Sequence, residues 1–383
     1  TLRLLRQFGL SLLGTIMTKK LNKRRLEPDY VSPPGETLLE IIENRGMTQS
    51  DLAHRMGRPI KTINEIIHNK AAITADTAIQ LMRVLGTPDT FWLRRESAYQ
   101  RGLARLREKS SLQNKTEFLK NFPVNEMAKM GWLEKSNDKV QQLIYLLDFL
   151  GIASPEQWEV TETANVAFRS SACETSKSHA VAAWLRMGER QAVENETRPF
   201  DRSVLKRALP SIRTLSRLSL CEFIKPLLEA CSNCGVALVF TPALKNTGVY
   251  GATRWLSPDK ALIQMSLRYK NDGQFWFTFF HEVGHILLHG KRASFVEGLS
   301  TGEEEEAANV FARETLIPSD EYSEFCQQKI CQASIKKFAD RLCLSPGVVV
   351  GRLQRDGVIR HSQYNRLKAR IDLESIETQL ARR

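Results

Sequence analysis

No stretch of this chain approaches the roughly 20 consecutive apolar residues that a membrane-crossing helix needs, so a protein that spans a bilayer by helices is not expected. Low-complexity tracts are also missing. With 42% hydrophobic and 26% charged residues the composition is that of a globular protein, not a disordered or fibrous one. Cysteine is sparse: seven residues, an odd number, scattered over 383 positions, which argues against a disulfide framework and for a reducing compartment. The expectation is a soluble, cytoplasmic protein. The single CxxC, Cys231-Ser232-Asn233-Cys234, has no second pair and is a weak signal for a zinc ribbon or a redox centre. Acidic charge is short at the beginning. Up to Lys120, 21 Lys/Arg stand against 12 Asp/Glu, within a formal net charge of +12. A basic first third fits an electrostatic footprint for nucleic acid, although charge alone also fits a solvated surface.

What is present begins with TLRLLRQFGLSLLGTI, two arginines and a short apolar run without a following small-x-small cleavage site. Met17 then opens the basic MTKKLNKRR and reads as the true start, with residues 1–16 read in from upstream. Residues 1–32 are expected to be a basic, disordered leader. The length exceeds one ordinary core and predicts two or three domains.

From residue 34 to about 100 the apolar spacing predicts five short helices. GETLLEIIENRG ends at Gly46. Thr48 caps a short helix, with acidic Asp51 at the third position. Gly57-Arg58-Pro59 turns into IKTINEIIHNK, Thr74 opens the next helix, and Thr87 caps a last one with Pro88 at its first position. Short helix, tight turn, short helix is the helix-turn-helix rhythm. In the second of these helices Ile60, Ile63 and Ile67 are expected to face the core. Lys61, Thr62, Asn64, Glu65 and His68 then remain to reach base edges, and Gln49, at the start of the preceding helix, to bond a phosphate. The bland alternative is a helical interaction bundle without DNA. The run from Pro33 to Trp92 resembles the HigA-type antitoxins of the XRE helix-turn-helix family, with Pro33-Pro34-Gly35-Glu36 where that family has His-Pro-Gly-Glu. The resemblance implies a dimer that binds operator DNA and represses its own toxin–antitoxin operon.

Residues 100–230 read as packed helices. Trp184 and Arg186 are expected to pack and to solvate rather than to catalyse. The pattern then changes. GVALVFTPAL, VYGATRWL and KALIQMSLRY, divided by turn residues, predict a sheet of about three strands. FTFFHEVGHILLHG follows on an almost wholly apolar helix that Asn271-Asp272-Gly273 caps and Gly290 closes. Ionisable groups buried there without partners would be costly. His281 and His285, one turn apart, share a face and can reach one Zn²⁺. Glu282, beside the first histidine, is placed to take a proton from water as general base. Three fixed residues also arise by chance in unrelated chains. Gly284 costs roughly 1 kcal/mol in a helix and permits another segment to approach closely.

A third ligand is required. His289 is rotated some 40° past His285 on a straight helix and reads as an outer partner of the ligands or simply as a helix-end histidine near the dipole. Thr301-Gly302-Glu303-Glu304 reads as a capping box, which gives Glu304 a structural task. Glu305 shares a face with Ala308, Asn309 and Ala312 and is the candidate ligand. FWFTFFHEVGHILLHG followed by EEEEAANVFARETLIP is similar to the ImmA/IrrE family of zinc metallopeptidases. The resemblance implies His281, His285 and Glu305 as ligands, Glu282 as base, and cleavage of a helix-turn-helix repressor. At the end, SIKKFADRLCLSPGVVVGRLQRDG repeats the helix-turn-helix shape. Its second helix carries glycine and valine where a reader needs polar side chains, so it reads as a packing or docking element, and the tail after it as a helical extension.

The expected fold class is α+β and mostly helical: an all-α helix-turn-helix domain, then a zincin-like domain with a small sheet and the HExxH helix. The expected segments are 1–32 leader, 33–100 helix-turn-helix domain, 101–165 helical connector, 166–325 metallopeptidase-like domain and 326–383 packing element and tail. The function expected is a DNA-binding regulator fused to a zinc endopeptidase that cleaves a protein, another regulator or itself, and acts as a homodimer. The alternatives are a HigA-type autorepressor whose zincin fold only senses or docks a cognate toxin, and a closed structural zinc site.

Overall fold

In the computed structural model, residues 31–160, 175–268, 270–290, 295–297, 302–372, 374–376 and 378 are described. Residues 1–30 of the leader, part of the expected helix WEVTETANVAFRSS, and Thr301 lie outside them. Among the described residues no helix is long and apolar enough to cross a membrane. The chain divides into two compact units: 31–116 with 138–141, and 117–137 with 142 onward.

The first unit contains helices α1 (Pro34–Asn44), α2 (Gln49–Met56), α3 (Ile60–Ile67), α4 (Ala75–Leu85) and α5 (Asp89–Leu112). Thr48 and Asp51 form the reciprocal capping box of α2, Gly57 ends it at φ 65°, and Thr74 caps α4. Their apolar stripes meet in one core that includes Leu38, Leu52, Ile63, Leu81 and Trp92. Two expectations are corrected. The fifth helix is not short, running 24 residues with Pro88 as its cap. Ile60 does not face the core. It is 54% exposed, and Ile66 takes the third core position beside Ile63 and Ile67. Cα–Cβ bonds tilt toward a helix's N-terminus, so the first residue of α3 leans past the helix end instead of onto the packed turn.

Gly35 lies where a Cβ would run into the backbone carbonyls of Ile66 and Ile67. Gly35→Ala is therefore expected to push α1 off α3 and destabilise this unit by about 1–3 kcal/mol. Faster hydrogen exchange confined to residues 31–116 checks it; unchanged protection there contradicts it.

The second unit contains α6 (Val124–Lys129), α7 (Lys139–Leu150, shared with the first unit at its start), α8 (Thr175–Glu194), α9 (Arg202–Thr214) and α10 (Leu220–Asn233). Strands β1 (Val236–Phe240), β2 (Gly251–Ser257), β3 (Lys260–Met265) and β4 (Phe295–Val296) follow, with α11 (Asp272–Leu288) between the last two. Helices α12 (Glu303–Leu316), α13 (Ser319–Cys326), α14 (Gln332–Arg341) and α15 (Pro346–Arg355) complete it. The sheet order is β1-β3-β2-β4, with β1 and β3 parallel and the other pairs antiparallel. Alternate residues of β1 face opposite layers. Val236, Leu238 and Phe240 join the core with α10 and α11, while Ala237 and Val239 pack with Ala192 of α8. Burial on both faces explains why VALVF has no polar alternation.

Arg186 does not solvate. It donates to the carbonyl of Phe149 at 3.1 Å and pairs with Glu189 at 2.8 Å. Trp184 packs as expected, its Nε1 donating to the carbonyl of Thr241 at 2.9 Å. Cys231 and Cys234 are each 1% exposed, and burial raises both thiols above their ordinary pKa, so the CxxC is core and not a reactive pair. Helices α14 and α15 share the core of α11 and β1, so they pack as read. The described part of the tail is not a simple helical extension: Ala369 and Ile371 bond back to the backbone of Asp272 and Lys270.

Candidate metal centre

Asn271 caps α11, its side chain accepting from the amide of Gln274 at 3.0 Å. The helix ends one residue earlier than expected: His289 is the cap in extended conformation, and Gly290 is not left-handed. Within α11, His281, Glu282 and His285 are all at most 1% exposed. Helix α12 lies across it because Gly284 has no side chain. A Cβ there would sit 3.2 Å from Ala308 Cα and 3.1 Å from Phe311. The close approach expected for Gly284 is thus made by α12, and Glu305, Ala308 and Ala312 are the buried face that meets it.

Glu305 thereby reaches the two histidines. His281 Nε2 is 3.1 Å and His285 Nε2 3.4 Å from its carboxylate, and the two Nε2 atoms are 3.0 Å apart. A tetrahedral ion with bonds of roughly 2.0–2.1 Å holds its ligand atoms about 3.3 Å from one another, so the spacing fits one zinc-sized ion. The donor set, two imidazoles and a carboxylate, is one that binds zinc. Among the described residues these three are the group placed to hold a metal.

Burial lowers the pKa of His281, but the bond to Glu305 and the charges of Glu297 and Glu282 outweigh it and push the pKa up to about 9. Burial also works against ionised Glu305, yet the two histidines hold its pKa down to about 2. His285 is lowered, chiefly by burial. Glu282 and Glu297 are both raised by burial. Glu282 Oε2 accepts from Thr253 Oγ1 at 2.6 Å, while Oε1 has no hydrogen-bond partner among the described residues. Gly251 makes room for that carboxylate, since a Cβ would collide with Oε1.

Sequence reasoning missed several neighbours. Thr253 and Gly251 project from the same face of β2, and a polar residue two positions from a glycine in a buried strand was the available signal. Asn309, read as compact packing, accepts at Oδ1 from His281 Nδ1 at 3.1 Å. Phe295 stacks on His285 at 4.0 Å between ring centroids, from a strand of two residues too short to read. The capping box expected at Thr301 involves a residue outside those described. Gly302 is the cap of α12 and makes no side-chain bond, so Glu305, not Glu304, is its third residue. His289 stays outside the cluster, its Nε2 3.0 Å from the carbonyl of Glu304.

In the first unit, Lys61, Asn64, Glu65 and His68 form one outward stripe of α3. Lys61, Asn64 and His68 are exposed, and Thr62 and Glu65 are half-exposed. Glu65 pairs loosely with Lys61 at 3.9 Å, and His68 Nδ1 lies 2.8 Å from the carbonyl of Asn64. Gln49, at the first position of α2, accepts from Asn64 Nδ2 at 3.4 Å and ties the two helices together.

Residues 235–354 match the IrrE N-terminal-like domain, Peptidase_M78, and residues 38–92 match the helix-turn-helix domain HTH_3. The chain is 36% identical over 72 residues to virulence-associated protein I of Dichelobacter nodosus, spanning 18% of this chain and 67% of that protein. It is also similar to the structure of an addiction module antidote protein of a HigA family from Coxiella burnetii, at 29% identity over 22% of this chain and 92% of that one, with a TM-score of 0.21. The structure of Pseudomonas aeruginosa antitoxin HigA with higBA promoter matches at 27% identity over 22% of this chain and 94% of that one, with a TM-score of 0.21.

Proposed function

We propose that this chain, which belongs through residues 235–354 to the IrrE N-terminal-like peptidase family and through residues 38–92 to the helix-turn-helix family, is a DNA-binding regulator with a zinc-dependent endopeptidase built into it. The observation that carries the reading is the convergence of His281, His285 and Glu305 beside buried Glu282, whose second carboxylate oxygen has no hydrogen-bond partner among the described residues.

His281, His285 and Glu305 would hold the ion, and zinc, when bound, would supply Lewis acidity for polarising a peptide carbonyl and acidifying water. Asn309 accepts the Nδ1 hydrogen of His281 and so leaves Nε2 free to ligate. Thr253 pins one oxygen of Glu282 and fixes the other in place. That free Oε1 takes the proton of the attacking water and passes it to the departing amine. Burial lifts the Glu282 pKa toward the range in which a carboxylate both accepts and returns a proton near neutral pH. Water, amine and carboxyl product balance as in any peptide hydrolysis.

The helix-turn-helix unit binds operator DNA as a dimer. Lys61, Asn64, Glu65 and His68 face the groove, Thr62 flanks them, Gln49 supports Asn64 and bonds a phosphate, and exposed Ile60 adds an apolar contact of the kind that recognises a thymine methyl. The peptidase substrate is a protein, either a second regulator or this chain itself. Binding to DNA from upstream of its own gene tests the first half. Asn64→Ala is expected to cost about 1–3 kcal/mol at one base pair. Lys61→Ala, on the same stripe, should likewise relax the preference at the base pair it reads. Equal binding of every sequence by the wild type contradicts operator reading. A reporter under that upstream DNA, with wild type and Glu282→Gln compared after stress, tests the second half. Identical responses favour a repressor whose zincin fold only senses or docks a toxin.

A further inference from the structure

The proposed chemistry leaves α14 and α15 without a task. Their sequence has a helix-turn-helix shape, yet α15 is turned inward, with Val348, Val349, Val350 and Leu353 all buried. The helix is fastened to α11 at both ends. At its start Ser345 Oγ bonds the buried Asp272 carboxylate, and a Cβ on Gly273 would sit 2.5 Å from the carbonyl of Gly347. At its end, Arg355 lays its guanidinium 4.1 Å over the ring of Phe277 and donates from Nη2 to Asn309 Oδ1 at 3.3 Å.

Asn309 Oδ1 is also the atom 3.1 Å from His281 Nδ1. One amide oxygen therefore faces two donors, from two helices, and its two lone pairs serve both. A guanidinium only donates. Were the amide turned over, its NH₂ would confront Arg355. Arg355 thus fixes which end of Asn309 faces His281, and the Nδ2 end points to Glu306 Oε2 at 3.5 Å. With oxygen at Nδ1, neutral His281 carries its hydrogen there and presents a bare Nε2 toward His285 and Glu305.

We propose that Arg355 is a positioning residue for the metal site, holding His281 in its ligating tautomer through Asn309. This rests on the zinc reading above. The sign of its effect separates it from plain electrostatics. A nearby cation that acted through charge alone would repel Zn²⁺, so its removal would tighten zinc binding. Acting through Asn309, its removal must loosen it. Glu297, Glu306, Asp356 and Arg313 also face Arg355, and Arg355 helps keep buried Glu297 ionised, so Asn309→Ala, which leaves Arg355 and those carboxylates in place, separates the amide's part from theirs.

Zinc affinity of the full chain, measured by competition with a chelator, tests this in wild type, Arg355→Ala, Arg355→Lys, Asn309→Ala and the Arg355→Ala/Asn309→Ala double variant. Arg355→Ala is expected to weaken zinc binding about 10-fold, at the low end of the roughly 10–100-fold typical for partners that orient a ligand, and Arg355→Lys to recover part of it. Asn309→Ala should weaken it at least as much, and the double variant no further than Asn309→Ala alone. The unfolding temperature of the zinc-free protein is read in parallel. Unchanged or tighter zinc binding in Arg355→Ala overturns the proposal, as does a lower zinc-free unfolding temperature with wild-type affinity, or independent losses that add in the double variant. A wild-type chain that takes up no zinc overturns the functional reading and this proposal with it.

Discussion

Glu282→Gln is expected to keep the fold and the zinc while slowing peptide cleavage about 10²–10⁴-fold, the range contributed by a positioned general base. The substitution is close to isosteric. The amide oxygen can still accept from Thr253 Oγ1, which bonds Glu282 Oε2 at 2.6 Å. What disappears is a site that can take a proton. Glu282 is 0% exposed and one of its carboxylate oxygens lacks a partner among the described residues, so the ionised group is costly to bury. The glutamine variant should therefore unfold no earlier than wild type. Single-turnover cleavage, with the chain itself as first substrate, gives the rate. Wild-type cleavage by the variant would remove Glu282 from the chemistry. A variant that also loses its zinc would show a structural defect instead.

His285→Ala and Glu305→Ala form the second large effect. Each removes one of three donors, and both should lose zinc affinity by more than the roughly 10–100-fold that loss of an outer partner costs. The loss is also legible in stability. A ligand at 100 times its dissociation constant stabilises the native state by about 2.7 kcal/mol, so zinc should raise the wild-type unfolding temperature and leave both variants unmoved. In Glu305→Ala the zinc-free protein should itself be weakened, because His281 and His285 lose the carboxylate lying 3.1 and 3.4 Å away. His289→Ala, by contrast, should bind zinc as wild type does, since its Nε2 meets a backbone carbonyl instead. Zinc loss in that variant would make His289 part of the site.

Much of the site was legible because helical period does the work. His281 and His285 one turn apart, and Glu305 in line with Ala308 and Ala312, need only the pitch of an α-helix to be placed on facing sides. Gly284 announced the close approach for the same reason. Phe295 was not legible, and Thr253 and Gly251 showed only as a polar residue near a glycine in a buried strand, since all three meet α11 through sheet pairing that the sequence does not spell out. The parallel partnership of β1 with β3 is of the same kind, with β2 lying between them in sequence. Errors clustered at element ends. Ile60 leaned out past the first turn of α3, Pro88 served as a cap instead of a first residue, Gly290 was not the stop, and α12 began at Glu303 under a glycine cap. At such positions one residue of register changes which face a side chain serves. The overall class, mostly helical with a small sheet beside the HExxH helix, did not depend on those boundaries.

A hydrolytic function requires a metal at His281, His285 and Glu305. Elemental analysis of the purified full chain, refilled with zinc and then dialysed, measures that directly. About one zinc per chain, absent from His285→Ala prepared alongside, is the result expected of a three-ligand site. A wild-type chain that retains no zinc would contradict it and leave a DNA-binding repressor on a scaffold that performs no hydrolysis.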